Sequence, residues 1–300
     1  MKQYQLSVLL VTYNHQHYIQ QALHGLLRQE IDVDIEVVVA DDASTDETLS
    51  MIKSHEGQNS RLHFKYLSSD CNLGITKNYQ RGFAACSGTY VAVLEGDDYW
   101  CSPFKLKRQM DFLDTHWEAN ACAVNYFVYV QESQQLFPRV ILNQEHRLLT
   151  ARDLINDNLV GNFSVCMYRK SVFEALPKKL FELCSYDWII NICLAREGFF
   201  AFLGECMSVY RVHSNGMWSK KTHKEQVAEL LIAIDDYDAL TNGVFHDEFE
   251  SKKVCLNQQT NKFYDIYLKY MPLLFKKMYR QLTPIKYRHA IRQRILRLYS

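Results

Sequence analysis

Three clusters of polar residues, each directly after an apolar run, carry the chemistry that this sequence could perform. Leu6 to Val11 empties into Thr12-Tyr13-Asn14; a second run, closing at Ala40, opens into Asp41-Asp42-Ala43-Ser44-Thr45-Asp46; a third, Tyr90 to Leu94, ends in Glu95-Gly96-Asp97-Asp98. Carboxylates gathered this closely repel one another unless a cation or hydrogen-bond donors stand between them. Oxygen ligands of this kind suit a hard divalent ion, Mg2+ or Mn2+. Taken alone, Asp41-Asp42 fits turn formation and helix capping equally well, two places where Asp is favoured.

The elements that must hold these clusters follow from periodicity. Short β-branched runs at 6–12, 35–41, 62–67 and 90–95 alternate with helix-period segments, the pattern of βαβ units building a parallel sheet. Ile19, Ala22, Leu23, Leu26 and Leu27 form the apolar stripe of a first helix. Ser44 and Glu47 read as a capping box opening a second; Ile75, Tyr79 and Phe83 mark a third, stopped near Gly88. Ser102-Pro103 reads as an N-cap and first-turn proline for a helix with Leu106, Met110 and Leu113. Further strands are expected at 121–130, 164–169 and 201–210, with a helix at 186–197. Thr222 and Glu225 form another capping box, and the chain then reads as helical nearly to its end, interrupted at Pro272 and Pro284. In a sheet of this kind ligands bind beyond the carboxyl ends of the strands, so the three clusters share one edge.

Composition narrows the class of molecule. The 300 residues carry 34 Lys+Arg and 34 Asp+Glu, which gives no overall charge to attract a nucleic acid. With 48% hydrophobic residues the chain can bury a substantial core, so disorder is excluded for most of it. The balance is uneven: residues 262–300 hold ten basic side chains against one acid, Asp265, a net +9 against −9 for the rest. No apolar run approaches the roughly 18 residues of a spanning helix, and the N-terminus resembles neither a signal nor a transit peptide. Nine cysteines without CxxC or Cys/His spacing read as reduced thiols, most of them core fillers in a cytoplasmic protein.

Four ordered segments together resemble the family 2 glycosyltransferases with a GT-A fold. They are Ser7-Val8-Leu9-Leu10-Val11-Thr12-Tyr13-Asn14; Glu36-Val37-Val38-Val39-Ala40-Asp41-Asp42-Ala43-Ser44-Thr45-Asp46; Asn72-Leu73-Gly74; and Gly88-Thr89-Tyr90 leading to Glu95-Gly96-Asp97-Asp98. The resemblance covers residues 6 to 215, most strongly the first 110. It implies an α/β fold, a Rossmann-like mixed, mostly parallel sheet flanked by helices, over residues 1–215. Within that span a nucleotide-binding part would occupy about 1–110 and an acceptor part about 111–215, with 216–300 a helical, basic C-terminal extension.

The resemblance also implies roles for residues. Thr12, Tyr13 and Asn14 would flank the base and ribose of a nucleotide sugar while Asp42 accepts a hydrogen bond from the base, and Asp41 and Asp97 would also bind the nucleotide. A carboxylate accepting from a ring N–H favours uracil or thymine over a purine, so a UDP-sugar is the expected donor. Asp97, Asp98 or both, with His213 from Tyr210-Arg211-Val212-His213, would hold Mn2+ or Mg2+ on the diphosphate. Glu95 stands where the family usually has an aspartate, and its contact is left open among metal, ribose or neither. Ser185-Tyr186-Asp187-Trp188 resembles the family's acidic motif, with Tyr186 in place of a glutamate; Asp187 would be the base that takes the acceptor's proton. Asp187 also suits a helix N-terminus, and a histidine after a strand is commonly structural. Gly161-Asn162-Phe163-Ser164 is read as a loop shaping the acceptor side.

The implied reaction is a single displacement that inverts the anomeric carbon, with a glycan or lipid-linked glycan as acceptor in surface polysaccharide or lipopolysaccharide biosynthesis. The basic, apolar-rich segment 262–300 fits peripheral contact with the inner face of an anionic membrane, or a helical cap or dimer contact. Nucleic acid is not an expected partner, and oligomeric state is not legible. Two other readings compete: a Mg2+-dependent phosphate-handling hydrolase or phosphoacceptor domain, and a non-catalytic nucleotide-binding protein of the same fold. Against the first, the second strand lacks an Asp-x-Asp nucleophile followed by Thr.

Overall fold

The structure, a computed structural model, describes residues 4–183 and 186–270, with Tyr186 and residues 259–270 as backbone alone. The chain opens as β1 (Leu6–Thr12), α1 (Ile19–Leu27), β2 (Ile35–Asp41), α2 (Thr48–Lys53), β3 (Leu62–Tyr66), α3 (Ile75–Ala85) and β4 (Tyr90–Glu95). All four strands run parallel, in the order β3-β2-β1-β4. Every residue of β1 and β2 is buried, as expected of parallel strands covered on both faces, while β3 at the edge is only partly so.

The second half departs from alternation. It continues with β5 (Tyr99–Trp100), α4 (Lys105–Thr115), β6 (Ala119–Val130), β7 (Gln135–Pro138), β8 (His146–Leu149), α5 (Ala151–Asn156), β9 (Cys166–Arg169) and α6 (Lys170–Glu174). A 3-10 turn (Lys178–Glu182) precedes α7 (Tyr186–Leu194) and β10 (Phe199–Val212). The sheet extends as β4-β9-β6-β10-β5, with β7 on β6 and β8 on β10. Strand β9 is antiparallel to both neighbours and β6 is parallel to β10, so the whole is one mixed sheet flanked by helices, as the motifs implied. Helices α8 (His223–Leu240) and α9 (His246–Tyr270) complete the described chain. They pack on α5 and α7: the Trp188 and Tyr237 rings lie 5.8 Å apart, and Lys252 donates to the Asn156 carbonyl at 2.8 Å.

Several boundaries differ from the sequence reading, each because a side chain found a better partner. Ser44 does not cap α2: its hydroxyl bonds to Asp41 at 2.5 Å, and the helix starts only at Thr48, whose N–H donates to Asp46 at 3.0 Å. Pro103 lies before α4 rather than in its first turn, its carbonyl taken by Glu30 N–H at 2.8 Å. The Thr222–Glu225 capping box forms as expected, but the C-terminal helix breaks at 241–245, where Asn242 and Gly243 adopt left-handed φ. Pro272, Pro284 and most of the basic segment 262–300 lie outside the described residues. Among the described residues no helix is long and apolar enough to cross a membrane. Eight described cysteines are free thiols, but only Cys86, Cys122 and Cys166 are buried, so most of these eight do not fill the core as expected.

Beneath the sheet end, Lys105 is fully buried, donating to Gln109 Oε1 at 2.7 Å with its ammonium 4.3 Å from the Trp100 ring centroid. Burial lowers its pKa to about 7. A lysine depressed in the fold holds fewer protons than in the unfolded chain between about pH 7 and its ordinary value, so its contribution to stability rises with pH across that window and is lost below it. The unfolding free energy of the wild type relative to Lys105→Met should therefore increase by on the order of 3 kcal/mol from pH 7 to pH 10 in urea titrations. A difference that stays flat with pH would show that the ammonium is not desolvated.

Candidate active site

The first side of the site is made where β1 and β2 stop together. Thr12 and Asp41 are the last register partners, and Asp42 N–H then donates to the Thr12 carbonyl at 3.0 Å. Both strands turn through left-handed residues, Asn14 (φ 53°) and Ala43 (φ 59°). Asn is among the few non-glycine residue types that visit that region, and the Asn14 side chain reaches across to the second turn, accepting from Thr45 N–H at 2.8 Å. Ser44 ties the two turns: Asn14 N–H donates to its hydroxyl at 2.9 Å, and that hydroxyl donates to Asp41. Thr12 is buried with its hydroxyl unpartnered, whereas Tyr13 is 42% exposed. Asp42 is buried, its two oxygens accepting Leu73 N–H at 2.8 Å and Gly74 N–H at 3.0 Å, so it anchors the Asn72-Leu73-Gly74 segment.

The acidic turn after β4 forms the second side. Gly96 is obligatory by close approach: a Cβ there would sit 2.7 Å from His15 Nδ1 and 2.8 Å from Thr12 Oγ1. Asp97 Oδ2 lies 3.2 Å from His213 Nε2 and 3.8 Å from His15 Nε2. Asp98 points elsewhere, buried with Oδ1 accepting Arg211 N–H at 2.9 Å and Oδ2 unpartnered. The Arg211 side chain returns to the same turn, donating from Nε to the Asp97 carbonyl at 2.8 Å and from Nη2 to Gln21 at 2.5 Å. Its guanidinium lies 5.1 to 5.6 Å from the ring centroids of Tyr18, Tyr99 and Tyr129. Glu95 accepts from the buried Tyr79 hydroxyl at 2.7 Å, and its N–H donates to Ser164 Oγ at 3.0 Å.

These contacts divide the charge. Burial, reinforced by the Asp97 charge, pushes Glu95 up to about 8, and the same two causes hold Asp98 well above the usual carboxylate range. Asp97 goes the other way: burial works against its ionisation, but the bond to His213 and the charges of His15 and His213 hold it low. At neutral pH the negative charge of the turn is thus concentrated on Asp97. Burial raises Asp187 as well, and its charge is among those that raise Glu95. Asp187 stands in the first turn of α7. Burial lowers the pKa of His15.

Among the described residues no group of three or more His, Cys, Asp or Glu side chains is arranged to hold a metal by itself. The Asp97–His213 pair, with both histidine Nδ1 atoms buried and unpartnered, fits a different arrangement. Small hard cations bind through one or two protein side chains and complete their shell with phosphate oxygens and water. Sequence reasoning passed over His15, Tyr18, Gln21, Asn78 and Arg81, since each sits inside a helical stripe or a turn where polar residues are common. His15 had one usable signal, its position next to Asn14 at a strand end. Replacement of Gly96 by Ala should cost about 2 kcal/mol in urea-induced unfolding, because the new methyl must displace Thr12 or His15. Unchanged stability would mean that the three strand ends are not packed as described.

Comparison with known proteins places this geometry in context. A family model described as Glycosyl transferase family 2 matches residues 7–176. An uncharacterised protein of Mycobacterium tuberculosis is 32% identical over 217 residues, covering 71% of this chain and 60% of the relative, so the chain spans less than two thirds of that protein. The putative teichuronic acid biosynthesis glycosyltransferase TuaG of Bacillus subtilis is 27% identical over 72% of this chain and 82% of its own. Among solved structures, S. aureus TarS in complex with UDP-GlcNAc shares the fold with a TM-score of 0.60 at 20% identity, over 77% of this chain and 66% of TarS. The mannosyltransferase PcManGT of Pyrobaculum calidifontis, in complex with GDP-Man and Mn2+, gives 0.61 at 16% identity, over 84% and 70%.

Proposed function

Because the chain belongs to glycosyltransferase family 2, we propose that it transfers a sugar, with inversion, from a UDP-sugar to a hydroxyl of a glycan or lipid-linked glycan. The observation that carries this reading is Asp97, the ionised acid of the turn, set beside the His213 and His15 imidazoles. Asp97 and His213 would hold Mn2+ or Mg2+ against the diphosphate. When bound, such an ion offsets the charge that develops on the departing UDP. Asp98, tied to Arg211 N–H, serves in this reading to fix the turn rather than to bind the ion.

At the tips of β1 and β2, Thr12, Tyr13, Asn14 and Asp41 receive the base and ribose in this reading. Asp42 braces the Leu73–Gly74 segment with both oxygens, each of which keeps a lone pair for a base N–H. Asp187 takes the proton of the attacking hydroxyl; burial lifts its pKa from the ordinary carboxylate value toward the working pH, which strengthens it as a base. The similarity to TuaG, a putative teichuronic acid biosynthesis glycosyltransferase, supports an acceptor within a surface polymer. A non-catalytic binding role would retain the nucleotide contacts without turnover.

A screen of nucleotide sugars by calorimetry and product analysis, with Mn2+ or Mg2+ present, tests these roles. Asp97→Ala should weaken cation-dependent UDP binding by at least about tenfold. Asp187→Ala should bind UDP as the wild type does and lose transfer by about 100-fold or more. Undiminished UDP binding by Asp97→Ala would overturn the cation assignment, and transfer by Asp187→Ala would remove the base.

For residues 262–300 the ten basic side chains among Tyr267, Leu268, Leu273, Leu274 and Phe275 support attachment to an anionic membrane surface, where a lipid-linked acceptor would reside. The full chain should float with phosphatidylserine-containing liposomes at low salt, and a chain ending at residue 261 should not. Flotation that does not depend on the segment would reject the attachment.

A further inference from the structure

Strand β3 stops before β2 does. The last register pair between them is Val39 with Tyr66, after which Leu67 N–H donates to the Val39 carbonyl at 3.0 Å. Beyond that pair the Asp41 carbonyl faces the side that β3 has left open, whereas the Ala40 carbonyl faces β1. Two side chains from one turn of α3 reach these carbonyls. Asn78 Nδ2 donates to the Ala40 carbonyl at 2.7 Å, and Arg81 Nη2 donates to the Asp41 carbonyl at 2.5 Å.

Arg81 does more than replace a missing strand. Its Nε donates to Asn78 Oδ1 at 2.7 Å, and its Nη1 donates to the Ser68 carbonyl at 2.8 Å, at the start of the segment that Asp42 grips at its far end. Residues 68–74 are therefore pinned to the tip of β2 twice, by Arg81 at Ser68 and by Asp42 at Leu73 and Gly74. The Leu73 side chain on this segment is 38% exposed, an apolar surface beside the strand tip. Arg81 forms no ion pair among the described residues and spends its donors on oxygens that carry no formal charge. Its fixed planar fork is suited to such multiple carbonyl contacts, which a lysine ammonium cannot reproduce.

We propose that Arg81 is a positioning residue for the nucleoside: it holds residues 68–74 as a wall against the tip of β2, and the base of the donor nucleotide binds against that wall. The inference rests on the reading that the cleft takes a UDP-sugar, and it assigns specificity on the base side to a residue that touches no substrate. The ion side, built on Asp97 and His213, is independent of it.

The test uses the full chain, UDP and Mn2+. Arg81→Gln should raise the UDP dissociation constant about tenfold and accelerate hydrogen exchange at Leu73 and Gly74 about tenfold. The Mn2+ affinity at saturating UDP, read by electron paramagnetic resonance, should stay within about threefold of the wild type. Arg81→Lys keeps the charge without the fork, and should lie between the two in both exchange and affinity. Faster exchange at Leu73 and Gly74 with unchanged UDP binding would make the residue merely structural and overturn the proposal. Wild-type affinity in Arg81→Lys would show that charge alone suffices, and would overturn it equally. Failure of the wild type itself to bind UDP would instead sink the parent reading of the cleft.

Discussion

The site depends on one strand gripping one turn. Asp98 accepts the backbone N–H of Arg211 while the Arg211 side chain donates to the carbonyl of Asp97, so two consecutive residues of the acidic turn are held by a single residue of β10. Two positions later His213 meets the Asp97 carboxylate. The first half of the chain supplies the acids and the second half fixes where they point. A guanidinium that is nearly fully buried, hydrogen-bonded and surrounded by three tyrosine rings does not reorient easily, which gives the turn a single geometry before any ligand arrives.

Burial settles an electrostatic difficulty at the same turn. Seven acids, Asp41, Asp42, Asp46, Glu95, Asp97, Asp98 and Asp187, belong to the strand ends and the start of α7, and full ionisation would repel a diphosphate. Burial and mutual repulsion push Glu95 and Asp98 upward, while the two histidines keep Asp97 low. Asp41, Asp42 and Asp46 are each occupied by backbone or hydroxyl donors. Within the acidic turn itself the charge is thus left on Asp97, beside the imidazoles.

Much of this was legible in the residue pattern, and the reasons for the exceptions are physical. The parallel strands were readable because buried, two-sided strands are nearly uniform apolar runs, and the strand-end clusters were readable because nothing but a site or a turn requires so many acids there. The family's motif order then gave the fold. The helix starts at Ser44 and Ser102 misled because a capping pattern records local options, whereas Asp41 competes for Ser44 from the end of the preceding strand. Arg81 and Asn78 were invisible for a similar reason. Their partners are carbonyls at the tip of β2, that of Asp41 left over where β3 ends early, and a strand's length relative to its neighbour is a property of the sheet, not of either segment alone. The residues 262–300, conspicuous in charge, fall mostly outside the described structure.

The seam between the two halves bears on how the molecule could have been assembled. Strand β9, antiparallel to both β4 and β6, closes the open flank of β4, and the two residues of β5 find their partner only in β10. Without β9, β4 would present a bare hydrogen-bonding edge, inviting self-association. The second half of the chain is therefore stitched into the sheet rather than appended to it. Recombination among such proteins would have to exchange loops at the strand tips, since exchanging halves would unzip the interior.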